Sequence, residues 1–143
     1  MAEGHPPDEL PAHRVTGVAG VFFRAGSAAS LRSWYVRNLG IDFDPALNGA
    51  LFGRRPERRQ SRSEESPDTL LWSVYDRDET FFGEAAQDWM ISYRVADLDA
   101  ILAQLRTAGT QVSSDVEESE YGRFGWAYDP EGHRFELWEP IRP

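Results

Sequence analysis

Residues 121–139 read YGRFGWAYDPEGHRFELWE, and this stretch decides the fold. Phe124, Trp126 and Tyr128 put large aromatics at every second position, the period of a β-strand. Asp129-Pro130-Glu131-Gly132 is a turn: proline presets φ at one position, and glycine supplies a conformation that a Cβ resists. Residues 133–139 form a second strand, so the stretch is an antiparallel hairpin. Alternation sends Phe135 and Leu137 to a face suited to a core, and Arg134, Glu136 and Trp138 to the opposite face. Trp126 and Tyr128 share one face of their strand, and alternation alone leaves open which face that is.

The chain of 143 residues is the length of one domain and enough to bury a real core. It has no cysteine, which excludes disulfides, thiolate metal sites and cysteine nucleophiles. Apolar runs fall short of a membrane span, and the N-terminus lacks a signal-peptide hydrophobic segment, so the expected location is cytoplasmic, away from the membrane. A formal net charge of -9 argues against general binding to nucleic acid, whose phosphates it would repel. Motifs of nucleophilic serine, HExxH zinc or glycine-rich phosphate sites are missing.

Residues 1–14, with Pro6, Pro7 and Pro11, lack periodicity and are expected to be a flexible tail; residues 15–143 make the domain. Residues 15–24 (VTGVAGVFFR) read as a strand. A helix capped by Ser27 or Ser30 follows, with Leu31, Trp34, Tyr35 and Leu39 at helical spacing and Gly40 at its stop. Strands are expected at 41–43, 50–52 and 69–76. Between the last two, residues 53–68 (GRRPERRQSRSEESPD) read as a solvated loop, or alternatively as an arginine-rich anion-binding arm. Residues 77–87 connect the halves. A strand at 89–95 (WMISYRV) sends Trp89, Ile91, Tyr93 and Val95 one way and Met90, Ser92 and Arg94 the other. Asp97 caps a helix striped with Leu98, Ile101, Leu102 and Leu105 that ends at Ala108-Gly109; a strand at 111–117 leads into the hairpin.

The element order is thus strand, helix and three strands, twice over: module one spans about 15–77 and module two about 88–139. This repeat, with a strand–DPEG–strand hairpin ending in FELWE, resembles the glyoxalase/bleomycin-resistance/extradiol-dioxygenase (vicinal oxygen chelate) superfamily. The resemblance implies an α+β fold of two βαβββ modules forming a curved mixed-sheet cup, with helices outside, the ligand inside and a homodimeric assembly. In metal-using relatives four ligand positions fall on the first strand, the fourth strand, the start of module two and the last strand. Matched strand by strand, those positions hold Gly20, Trp72, Met90 and Glu136. Glu136 is the only family ligand position kept, and a lone carboxylate does not hold a divalent ion usefully, so no metal or other cofactor is expected.

What fills the expected cup is aromatic and apolar. Phe22, Trp72 and Trp138 are expected to point inward with Met90 beside them, and Arg24, Arg94, Arg134 and Glu136 supply polar handles. Such a wall suits a small aromatic or anionic molecule, with Glu136 as the candidate catalytic residue, a general base. Two other readings stay open. One is a metal-dependent lyase or dioxygenase of the same superfamily; the other is a non-catalytic interaction module using the arginine-rich loop.

Overall fold

The computed structural model describes residues 10–53, 69–83 and 87–141. The arginine-rich segment singled out above, residues 54–68, lies outside them, as does most of the N-terminal tail. The elements run β1 (Val15–Ala25), α1 (Ala28–Leu39), β2 (Ala50–Phe52), β3 (Leu70–Asp76), a one-turn 3-10 helix (Thr80–Phe82), β4 (Trp89–Val95), α2 (Leu98–Thr107), β5 (Val112–Ser119), β6 (Gly122–Tyr128) and β7 (Arg134–Pro140). The described strands form one mixed sheet in the order β2-β3-β1-β4-β7-β6-β5. In each module the first strand lies parallel to the last, β1 to β3 and β4 to β7. The modules join through the antiparallel pair β1–β4, which makes the sheet continuous.

One expected strand is missing. Residues 41–43 do not form a strand; the neighbouring chain makes only an isolated bridge, Asp44 to Gly49. Turn chemistry wins there. The Asp44 carboxylate accepts the Ala46 N–H (3.0 Å), the Asp44 carbonyl accepts the Leu47 N–H (3.0 Å), and Asn48 takes a positive φ of 53°. Among the described residues module one therefore contributes three strands where module two contributes four.

Both modules end on the same device. Asp76, the last residue of β3, accepts the N–H of Ala28 in the first turn of α1 (2.8 Å). Glu139, near the end of β7, accepts the N–H of Leu98 in the first turn of α2 (2.7 Å). Ser27 and Asp97, the N-caps, accept from Ser30 and Ala100 in turn. Each helix thus has two of its orphan donors satisfied, with a carboxylate at the positive end of its dipole. The final strand of each module thereby clamps the helix that precedes it.

Register puts both helices on one face of the sheet, because Phe23 of β1 pairs with Trp89 of β4, and Tyr93 follows Trp89 on that same side. Leu98, Ile101 and Leu102 of α2 cluster with Val95 and Leu137 of the sheet, with Phe135 and Tyr93 partly buried beside them. Ala28 of α1 clusters with Ala25 and Val74, and Phe23, Leu31 of α1 and Trp72 pack partly buried against them. The α1 attachment is the thinner of the two: only Ala28 of that helix is fully buried, whereas α2 buries Leu98, Ile101 and Leu102. His13 donates its N–H to Gln104 of α2 (3.0 Å) and accepts from the Gln104 amide (2.8 Å), which ties the described end of the tail to the domain.

The hairpin of residues 122–140 is built as its sequence suggests. Gly132 sits at φ 92°, and the Asp129 carboxylate accepts the N–H groups of Glu131 (2.9 Å) and His133 (3.0 Å). A further contact joins Asp129 to the His133 ring at 2.9 Å. The His133 backbone N–H, then its side chain, hold the Asp129 carboxyl below its ordinary value.

Candidate functional site

The sheet face away from the helices, called here the cup face, carries the unusual chemistry. Across it, hydrogen-bonded register aligns one row of residues. Leu51 on β2 meets Leu71 on β3, then come Gly20 on β1, Ser92 on β4, Glu136 on β7 and Trp126 on β6. One row along, Phe22 pairs with Ser73 on one side and Met90 on the other, and Arg134 pairs with Tyr128. In the other direction Arg94 pairs with Trp138, and Trp138 with Phe124.

These register partners correct the sequence reading at one residue and refine it at another. Trp72 pairs with Val21 and faces α1, edge-on to Phe23 (ring centroids 5.5 Å) and Tyr35 (5.2 Å). It is no part of the cup. A period-two strand shifted by one residue turns every side chain over, and no local signal distinguishes Leu71 from Trp72 as the inward one. Met90 does face the cup, fully buried, but it lies one row from Glu136; the β4 residue level with Glu136 is Ser92. Phe22, Arg24, Arg94, Arg134, Glu136 and Trp138 share the cup face. The side open for Trp126 and Tyr128 is now known to be the same one.

Charged groups are buried here. Glu136 is 4% exposed, Arg134 6% and Arg94 8%. The Ser92 hydroxyl donates to Glu136 Oε1 at 2.6 Å. Arg134 donates to the Tyr128 hydroxyl (2.8 Å), and its guanidinium lies 5.2 Å from the centre of the Trp126 ring. Arg94 lies 5.5 Å from the Trp138 ring and reaches the Thr69 carbonyl at 3.5 Å. Trp138 stacks on Phe124 and donates its indole N–H to the Tyr121 carbonyl (2.9 Å). Gly122 makes that approach possible: its φ is 131°, and a Cβ there would come within 2.2 Å of the Glu139 carbonyl oxygen.

Two contributors come from the connector between the modules, which carries no sequence signal of function. Gln87 works as a clamp. Its amide accepts the Arg134 N–H (2.7 Å) and donates to the Arg134 (2.8 Å) and Trp89 (2.6 Å) carbonyls, while its own carbonyl takes Arg24 Nη2 (2.6 Å). Phe82, on the 3-10 turn, is fully buried within the cup's apolar cluster of Phe22, Leu71, Met90 and Trp126.

Among the described residues no three histidine, aspartate or glutamate side chains converge as metal ligands. At the level of Glu136 the donors are one carboxylate and the Ser92 hydroxyl, flanked by Gly20 and Leu71. That set does not fit a divalent transition metal, which takes several nitrogen, sulfur or carboxylate donors.

A mixed sheet of paired modules, with both helices on one face and a row of buried polar groups on the other, defines the class: the protein is a member of the vicinal oxygen chelate superfamily. Residues 20–138 match the family model described as a glyoxalase-like domain, and the chain belongs to that family. Methylmalonyl-CoA epimerase from Mycobacterium tuberculosis is 20% identical, with a TM-score of 0.58 over 94% of this chain and 95% of that one. The Streptomyces coelicolor methylmalonyl-CoA epimerase, a variant in complex with 2-nitronate-propionyl-CoA, is 13% identical, with a TM-score of 0.63 over 90% of this chain and all (100%) of that one. A Legionella pneumophila structure described as an NAD-dependent benzaldehyde dehydrogenase is 17% identical, with a TM-score of 0.55 over 85% and 98% of the two chains. At these identities the likeness is one of fold. No curated protein sequence matches the chain significantly. Among the described residues no helix is long and apolar enough to cross a membrane.

Proposed function

We propose that the protein binds a small aromatic or anionic molecule on its cup face as a homodimer and without a resident metal. The observation that carries this reading is the burial of Ser92, Arg94, Arg134 and Glu136 together on a face otherwise made of Phe22, Met90, Trp126 and Trp138. A purely structural core avoids such groups, because each charge taken from water costs several kcal/mol before its partners repay it. Aromatic walls with a few convergent polar groups are the composition of small-molecule sites. The test is a titration with aryl carboxylates and aryl amides, followed by tryptophan fluorescence and by the methyl signal of Met90. Saturable binding that perturbs Met90 is expected, and no saturation at concentrations of about 1–10 mM would defeat the proposal. Sedimentation of the purified chain tests the dimer.

A second reading is favoured by the Ser92–Glu136 contact at 2.6 Å, which holds a buried carboxylate in one orientation. In it Glu136 is a general base acting on a bound acyl compound; the S. coelicolor neighbour is described in complex with 2-nitronate-propionyl-CoA. Tyr93 has no part in that reading, since it packs on Phe135 beside α2. Glu136→Gln separates the two: loss of turnover by about 10²–10⁴ with binding retained identifies a base, and a modest change in both identifies a polar wall.

A further inference from the structure

We propose that Phe82 is a displaceable plug: its ring fills the seat of the ligand's planar group, and the ligand carries an sp² oxygen that accepts the indole N–H of Trp126. The inference rests on the binding reading above and names the chemistry that the site takes.

The buried members of the cup cluster differ in how they are held. Phe22, Leu71, Met90 and Trp126 stand on β1, β3, β4 and β6, and none can leave without unpicking a hydrogen-bonded ladder. Phe82 stands on a three-residue 3-10 turn between the modules. That turn is closed by the Gly83 N–H on the Thr80 carbonyl (2.8 Å), with Gly83 at φ 71° directly after it. A single short turn ending in glycine can swing at little cost, whereas sheet residues open only with the sheet. Yet the ring it carries is fully buried, edge-on to Tyr75 at 6.1 Å, with the Arg24 guanidinium 4.8 Å from its centre. A flat ring under a guanidinium and against an aromatic edge occupies a place built for a planar group.

Trp126 supplies the polar half. The residue is 2% exposed, and its indole N–H has no hydrogen-bond partner among the described residues. Trp138, on the same face, shows the ordinary outcome, with its N–H on the Tyr121 carbonyl at 2.9 Å. Buried donors are nearly always satisfied, so an orphan in a polar cup marks a place where something else brings the acceptor. Trp126 and Phe82 are members of one buried cluster, so a planar group in the Phe82 seat shares that cluster with the Trp126 ring. A carboxylate and a neutral carbonyl offer the same acceptor, and the probes tell them apart.

The experiment uses the full chain with ¹⁵N-labelled tryptophan and ¹³C-methyl methionine, titrated with benzamide, benzoate and toluene. Met90 reports occupancy of the cup; Trp126→Phe assigns the indole signal. Benzamide or benzoate is expected to move Met90 and to draw the Trp126 N–H downfield, while toluene moves Met90 alone. Whichever of the two acts more strongly gives the neutral or anionic class. Phe82→Ala should bind the same probe about tenfold or more tightly, because the competent open state no longer has to be populated at the expense of the plug. A Met90 signal driven to saturation with the Trp126 N–H unmoved overturns the inference and leaves the binding reading standing. So does a folded Phe82→Ala that binds no more tightly, or an indole N–H already bonded to an internal water and indifferent to every probe. No response of Met90 to any probe, in either protein, defeats both. If Phe82→Ala does not fold, the wild-type titration still decides.

Discussion

Replacing Trp72 by alanine should loosen helix α1 and leave the cup's affinity unchanged. Trp72 stands on the α1 face, partly buried, in edge-on contact with Phe23 at 5.5 Å and Tyr35 at 5.2 Å. Cutting a fully buried tryptophan to alanine costs about 3–5 kcal/mol. Partial exposure lowers that figure, but two aromatic contacts worth about 0.5–1.5 kcal/mol each beyond their area are lost as well. A loss of about 3 kcal/mol follows, which for a chain of this size lowers Tm by about 6–12 °C. The loss should be concentrated in α1, because that helix buries only Ala28 completely and its Tyr35 ring rests on Phe23 and Trp72. Urea denaturation gives the total, and hydrogen exchange should show α1 amides exchanging faster while those of α2 do not. A cost below about 1 kcal/mol would refute the placement of Trp72 as an anchor of α1, since a surface substitution costs no more. A variant of normal stability that no longer binds a cup ligand would return Trp72 to the site.

Ser92→Ala removes the hydroxyl on Glu136 Oε1 (2.6 Å) and should cost about 1–3 kcal/mol by denaturant titration, the range for a hydrogen bond to a buried charged group; a neutral result would mean that Glu136 does not rely on it. Asp129 has its carboxyl pKa lowered from 3.8 by the His133 N–H, so its contribution is present above that value and is lost as pH falls through the lower folded value. Asp129→Asn should therefore melt below wild type at pH 7, with the gap closing in acid; a gap that persists in acid would assign the effect to shape instead of charge. Protein purified without chelator should carry less than about a tenth of an equivalent of zinc, nickel or iron, and EDTA should leave Tm unchanged; near-stoichiometric metal lost in Glu136→Gln would overturn the metal-free reading.

Much of the fold was legible because its signals are local. Alternating aromatics, the DPEG turn, the capping residues Ser27 and Asp97 and the α2 stripe are each written within a few residues of one another, and each appears in the structure where its chemistry puts it. Alternation also grouped Arg134, Glu136 and Trp138 correctly, since residues two apart on a strand must share a face. The row across the sheet was not legible. That Glu136 stands level with Ser92, Gly20 and Leu71, and not with Met90 and Trp72, depends on how separate strands slide past one another. Many long-range pairings settle that register together, and no single strand encodes it. Phe82 and Gln87 were hidden for a related reason. A lone aromatic and a lone amide in a connector have no period to announce them, and their roles exist only once two modules are packed around them. The sequence by itself determined most of the elements, their order and which residues of a strand share a face. Only the tertiary structure decided which sides meet, because that choice is made by contacts between residues far apart in the chain.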